Sequence, residues 1–226
     1  MVSPISAGPA TVIASPEDLA LVRALRAGDE QAFASLVESY YSSLLRLAMT
    51  FVGSRAVAEE VVQETWLGVL RGLDRFEGRS SLKTWIFRIL TNTAKTRAQR
   101  EGRSIPFSSL AGEGGSEESA VEPERFLEQG HPVWGGHWDT YPRSWDEIPE
   151  NRLMSKETRE RIETAIETLP PNQRTVIRLR DVEGFSSEEV CVVLRISEAN
   201  QRVLLHRARS KVRAAIEQYL EGPGER

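Results

Sequence analysis

An all-α protein of two small helical domains joined by a long acidic linker is what this 226-residue sequence predicts. Three observations carry that expectation. Apolar residues recur at helical spacing in the first and last thirds of the chain. Charge is segregated: residues 71–103 hold nine Lys/Arg against three Asp/Glu, residues 195–213 six against one, and residues 104–151 two against ten. The acidic stretch also carries five of the eleven prolines and six of the sixteen glycines, so no helical period survives in it. A connection of that length is unusual inside one compact domain. The expected organisation is a disordered tail (1–14), a first domain (15–103), the linker (104–152), a second domain (153–221) and a short tail (222–226).

The elements follow in order. Ser15 is placed to cap a first helix, with Pro16 at its first position, Glu17 and Asp18 in its first turn, and Gly28 as its stop. Asp29 opens a second helix carrying Phe33, Leu36, Val37, Tyr40, Leu44, Leu47 and Phe51, which Gly53 ends. Ser54 caps a third that runs to about Leu73 through Val61, Thr65, Trp66 and Val69. After a loop over 74–80, a fourth helix starts near Ser81, exposes many cations and turns Leu82, Trp85, Ile86, Ile89 and Leu90 inward. In the last third, a helix over about 155–168 stops at Pro170 and Pro171. A second carries Val176, Ile177 and Leu179 and ends at Gly184. Ser186 and Glu189 form a capping box for a short helix that includes Val190, Val193 and Leu194. The break at 195–197 then leads into a last helix through about Tyr219, the pattern of a helix-turn-helix.

Several function classes are excluded or disfavoured. A single cysteine, Cys191, forbids an intramolecular disulfide and reads as a small core residue. No apolar run nears the ~20 residues that span a bilayer, and the N-terminus lacks the basic start of a signal peptide. A cytoplasmic location is therefore expected. No phosphate loop, nucleophile elbow or paired-histidine helix is present, so no catalytic residue is assigned. His131, His137 and Asp139 fall in the linker with no scaffold to hold them, so no metal site and no cofactor is assigned. Trp134, Trp138 and Trp145 in the same stretch need a surface to dock on.

The basic blocks suggest nucleic acid, although the net charge of −4 hides it. On the last helix Arg202, His206 and Arg209 share a face, with Arg207 and Lys211 alongside and Leu205, Ala208 and Val212 opposite. Such a helix fits a major groove, and a solvated basic face is the other role open to it. The fourth helix mixes Lys83, Arg88, Lys95, Arg97 and Arg100 with Trp85 and Phe87. Aromatic rings among cations suit stacked single-stranded bases, and core packing is the other role open to Trp85 and Phe87.

Four stretches carry a family resemblance. Residues 58–66, Ala-Glu-Glu-Val-Val-Gln-Glu-Thr-Trp, resemble region 2.2 of sigma-70-type transcription initiation factors. Residues 76–89, with Asn92, resemble regions 2.3 and 2.4. Leu169-Pro170-Pro171-Asn172-Gln173-Arg174 resembles the start of region 4, and residues 196–199 with 205–209 resemble its recognition helix. Order and spacing are similar to the extracytoplasmic-function (ECF) group. The resemblance implies a sigma region 2 helical bundle and a sigma region 4 helix-turn-helix. It implies binding to the RNA polymerase core (largest-subunit clamp coiled coil and flap), with Glu60, Val61, Val62, Gln63, Glu64 and Trp66 at the clamp coiled-coil surface; core packing is the other role open to the valines. It implies capture of the −10 element, as it melts, by Phe76, Arg79, Ser80, Lys83, Arg88, Asn92 and Lys95. Asn200, Arg202, Val203, His206, Arg207 and Arg209 are implied to meet the −35 duplex. Control by an anti-sigma factor, which in this group can hold its partner at the membrane, is implied as well. Thr96, Gln201, Val203 and Leu204 depart from the usual pattern, which bears on promoter sequence and not on fold. An ordinary helix-turn-helix regulator is the rival reading; it leaves the aromatic–basic mixture of the fourth helix without a role.

Overall fold

A computed structural model of the chain describes residues 13–101 and 156–221. The linker tryptophans and histidines lie outside these residues. The fold is all-α: eight α-helices and no strand occur among the described residues. They are α1 (Pro16–Arg26), α2 (Glu30–Ala48), α3 (Arg55–Gly72), α4 (Leu82–Arg100), α5 (Lys156–Thr168), α6 (Pro171–Ile177), α7 (Ser187–Leu194) and α8 (Glu198–Glu221). They gather into two compact units that cut across the order of the sequence. One holds residues 13–101 and 179–198, the other 156–178 and 199–221.

Local chemistry sets the helix starts. The Ser15 hydroxyl accepts from the Asp18 N–H, and the Asp18 carboxylate accepts from the Ser15 N–H, a reciprocal cap. Asp29, Ser54 and Ser81 accept from the third backbone N–H of α2, α3 and α4. Gly28 ends α1 at φ +81°, in the left-handed region that glycine enters without strain. α2 stops at Ala48, short of the expected Gly53. The N–H groups of residues 49–52 turn back onto the carbonyls of Leu45, Leu47 and Ala48, and the Thr50 hydroxyl donates to Leu47.

In the first unit α4 packs on α3, α2 and α7. Leu44, Val62, Val69, Ile86, Phe87 and Leu90 are wholly buried there. The α3–α4 contact is close because α3 presents Gly68 and Gly72 to α4. A Cβ on Gly68 would lie 3.0 Å from the Ile89 side chain, and one on Gly72 2.9 Å from the Trp85 ring. These two glycines and the two side chains they receive are each four residues apart, one turn along each helix.

In the second unit Ile166, Leu169, Val176, Ile177, Leu204, Ala208 and Ile216 are buried. Arg178 is buried with them and reaches Glu163 at 2.9 Å and Glu167 at 2.6 Å. After α6 the chain loosens into a π-helical turn over Arg178–Val182, where continuous helix was expected. The Phe185 N–H then closes back on the Leu179 carbonyl at 3.0 Å across Gly184, whose φ is +73°.

Candidate nucleic-acid interface

The two valines implied to touch polymerase do not face outward. Val61 and Val62 are inside the first unit, and Trp66 is buried edge-on to Phe33 with ring centroids 5.8 Å apart. Between Arg55 and Ala56 at its start and Arg71 at its end, which are also exposed, α3 shows Glu60, Gln63, Glu64, Leu67 and Leu70 to solvent. Positions 60, 63, 67 and 70 form one helical stripe. Leu67 and Leu70, 50% and 45% exposed, were missed in the sequence. The signal for them was available, since leucine at those spacings from Gln63 falls outside the buried stripe. Glu60 is tied to Arg97 of α4 at 2.7 Å.

The residues implied for the −10 element divide into a loop set and a helix set. Phe76 is buried against the half-buried Trp85, ring centroids 5.2 Å apart at 62°. It supports the loop from beneath, while Arg79 is exposed and pairs with Glu77 at 2.8 Å. Gly78 carries φ +71°, so the loop turns sharply there. Ser80 is half-buried beside the α4 cap, and Trp85 is wedged between Phe76 and Gly72. On α4, Arg88 is exposed, Lys83, Asn92 and Lys95 are half-buried, and Phe87 is wholly core.

Lys83 and Lys95 are both engaged by residues 183–194 of the same unit. Lys83 Nζ donates to the Glu183 carbonyl at 2.5 Å and sits 4.5 Å from the centroid of the Phe185 ring. Phe185 in turn packs on Phe87, 4.9 Å between centroids. Lys95 Nζ donates to the carbonyl of Leu194, the last residue of α7, at 2.9 Å. Burial, and then the charge of Arg195, push the Lys95 ammonium down from its ordinary value.

One carboxylate joins the start of α7 to the start of α4. Glu189 accepts from the Ser186 N–H in its own capping box, and from the hydroxyls of Ser81 at 3.0 Å and Thr84 at 2.6 Å. Burial pushes this carboxyl up. Hydrogen bonds from Thr84, the Ser186 backbone and Ser81, with the charge of Lys83, outweigh burial and hold it below the usual carboxylate value. With Glu189 at one end and Leu194 at the other, α7 lies along α4 in the same direction.

On α8, Arg202, His206 and Arg209 are exposed along one face, Val203 is 47% exposed, and Asn200 and Arg207 are half-buried. Leu205, Ala208 and Val212 are buried, and Gln201 is buried with them. The turn that joins α7 to α8 passes through Arg195 at φ 57°, a left-handed cap on a residue other than glycine. No helix among the described residues is long and apolar enough to cross a membrane.

A basic outward face on the second helix of a helix-turn-helix order, and a separate bundle with a cationic, aromatic-backed helix, define a class of helical nucleic-acid-binding protein. Comparison with known proteins narrows it. Residues 36–104 match the family described as Sigma-70 region 2, and residues 159–212 match Sigma-70, region 4. The chain is 33% identical over 197 residues to the ECF RNA polymerase sigma-E factor of Escherichia coli K12, covering 86% of this chain and 92% of that protein. It is 29% identical over 209 residues to the RNA polymerase sigma-H factor of Pseudomonas aeruginosa, covering 92% and 98%. Among solved structures, CnrH in complex with the cytosolic domain of CnrY shares the fold at TM-score 0.51 and 21% identity, covering 87% of this chain and 95% of that one. The sigma factor RpoE in complex with the anti-sigma factor NepR, from Bartonella quintana, does so at 0.50 and 20%, covering 81% and 95%. The chain belongs to the sigma-70 family of RNA polymerase sigma factors, in its ECF group, and is a transcription initiation factor and not an enzyme.

Proposed function

We propose that the protein docks on core RNA polymerase through the outer stripe of α3, captures the melted −10 strand on the loop before α4 and on α4 itself, and reads the −35 duplex with α8. The observation that carries this division is the difference between the helix faces. α3 offers a mixed acidic and apolar stripe suited to a protein partner. α4 and α8 offer cations suited to phosphate. Gln63, Glu64, Leu67 and Leu70 are the polymerase contacts, and Val61, Val62 and Trp66 shape that helix from inside. Lys83, Arg88, Asn92 and Lys95 hold the single strand, with Trp85 and Phe76 supporting the loop. Arg202, His206 and Val203 approach base edges, Val203 meeting a thymine methyl, and Arg209 holds phosphate. Because Lys83 and Lys95 are engaged by residues 183–194, promoter capture requires that they exchange backbone carbonyls for phosphates. An anti-sigma factor is the expected antagonist, and the cytoplasm, where polymerase works, the expected location.

Reconstituted transcription tests this reading. Purified protein, sigma-free core polymerase and the promoter region upstream of its own gene are combined, and run-off RNA and core binding are read together. Specific RNA is expected from the intact protein. Gln63→Ala with Leu67→Glu should lose core binding and RNA together. Lys83→Ala should keep core binding, weaken promoter capture and lower the salt slope by about 1. DNA binding that is tight without polymerase and indifferent to Leu67→Glu would favour the ordinary regulator instead.

A further inference from the structure

The loop at the centre of the −10 reading is held from outside the sigma-70 match. α1 precedes residue 36, where that match begins, yet it and Ala14 just before it grip the loop at its start, middle and end. At the start, the Arg26 guanidinium donates to the Leu73 carbonyl through Nε at 3.1 Å and Nη2 at 2.7 Å. The same Nη2 reaches the carbonyls of Phe76 at 2.9 Å and Asp74 at 3.4 Å. In the middle, the Ala14 N–H donates to the Gly78 carbonyl at 3.0 Å, and Leu19 approaches within 3.4 Å of where a Gly78 Cβ would stand. At the end, Asp18 accepts from the N–H of Leu82, the first residue of α4, at 3.0 Å.

We infer that Arg26 is a positioning residue for recognition of the melted −10 strand: its guanidinium sets the path of residues 73–76 and so aims residues 76–81 at the DNA. The inference rests on the proposed −10 role of that loop. The chemistry favours arginine in this place. A helix end leaves carbonyls with unused lone pairs, and the short turn at Leu73–Arg75, where the Leu73 carbonyl also accepts from the Phe76 N–H at 3.1 Å, brings several of them to one point. Only a guanidinium offers a planar fork of donors and a charge that complements the negative end of a helix. The Arg26 hydrogen bonds to the loop all go to backbone carbonyls, so it acts through the backbone that carries Phe76 and, beyond it, Arg79 and Ser80. Lysine carries three donors on one rotating point charge with no planar fork, so it would hold these carbonyls less rigidly and leave the turn freer to pivot.

The test uses holoenzyme made from the full chain and core polymerase. A randomised single-stranded DNA pool is first selected on unsubstituted holoenzyme, and the enriched oligonucleotide becomes the probe. Failure to enrich any motif would overturn the −10 reading, and this inference with it. Given a motif, Arg26→Ala should weaken capture about tenfold or more, the loss expected when charge-assisted hydrogen bonds go. It should also flatten base preference at one position of the motif, with affinity for core polymerase unchanged. Arg26→Lys should fall between and recover part of the base preference. Capture and base preference unchanged in Arg26→Ala would overturn the inference. So would a parallel fall of capture, core binding and melting temperature in both variants, which would mark the guanidinium as a fold support only.

Discussion

At the scale of single residues, Arg195 and Gly72 make opposite demands on backbone and space. Arg195 occupies the left-handed region at φ 57°, where a Cβ costs about 1–2 kcal/mol. Arg195→Gly should therefore stabilise the protein by about 1 kcal/mol, read as a higher urea midpoint at unchanged slope. Gly72 is the last residue of α3, where alanine would gain at most about 1 kcal/mol of helix propensity. The Trp85 ring lies 2.9 Å from the new Cβ, and overpacking of that kind costs about 1–3 kcal/mol. The second effect is the larger, so Gly72→Ala should destabilise and alter the near-ultraviolet dichroism of Trp85 against Phe76. Neither demand is written in the sequence. Arg195 occupies a break that any polar residue would signal, and Gly72 reads as a weak helix position until α4 is seen against it.

At the scale of elements, what was legible was local. The caps at Ser15, Asp29, Ser54, Ser81 and Ser186 each act across three residues, so spacing alone exposes them. The buried stripes of α3 and α4 were legible for the same reason. The Arg26 clasp spans 47 positions and the contact of Glu189 with Ser81 spans 108, and no local pattern announces either. Glu189 read as the third residue of a capping box and nothing more, because its second oxygen serves a distant helix. That double duty gives a pH prediction. A carboxylate held below its usual value contributes stability that is present above the unfolded value and lost as pH falls through the folded one. The amides of α7 should then lose hydrogen-exchange protection below about pH 4, after correction for intrinsic rates. Glu189→Gln should show weaker protection already at neutral pH and little further change with acid.

For the whole molecule, the family assignment joins two matched regions, while the compact units divide the chain differently, with residues 179–198 grouped beside α1–α4. Sequence order revealed the first arrangement and had no means of revealing the second, because the docking depends on Phe185 finding Phe87 and on two lysines finding carbonyls. Phe185→Ala removes a ring buried to 1% exposure and should cost about 3–5 kcal/mol in unfolding measurements. The docking also covers α4 and discharges it only in part: the Glu189 carboxylate lies within reach of the charge of Lys83, while Arg88 stays exposed. Lys95 meets an uncharged carbonyl and faces Arg195, another cation. The electric field of the basic helix therefore reaches into solvent while its contact face is shut, and a DNA strand is still drawn in before it can be held. In stopped-flow mixing, encounter at low DNA concentration should quicken steeply as salt is lowered. At high DNA concentration the observed rate should level off at a ceiling that salt barely moves, the frequency at which α7 lifts away.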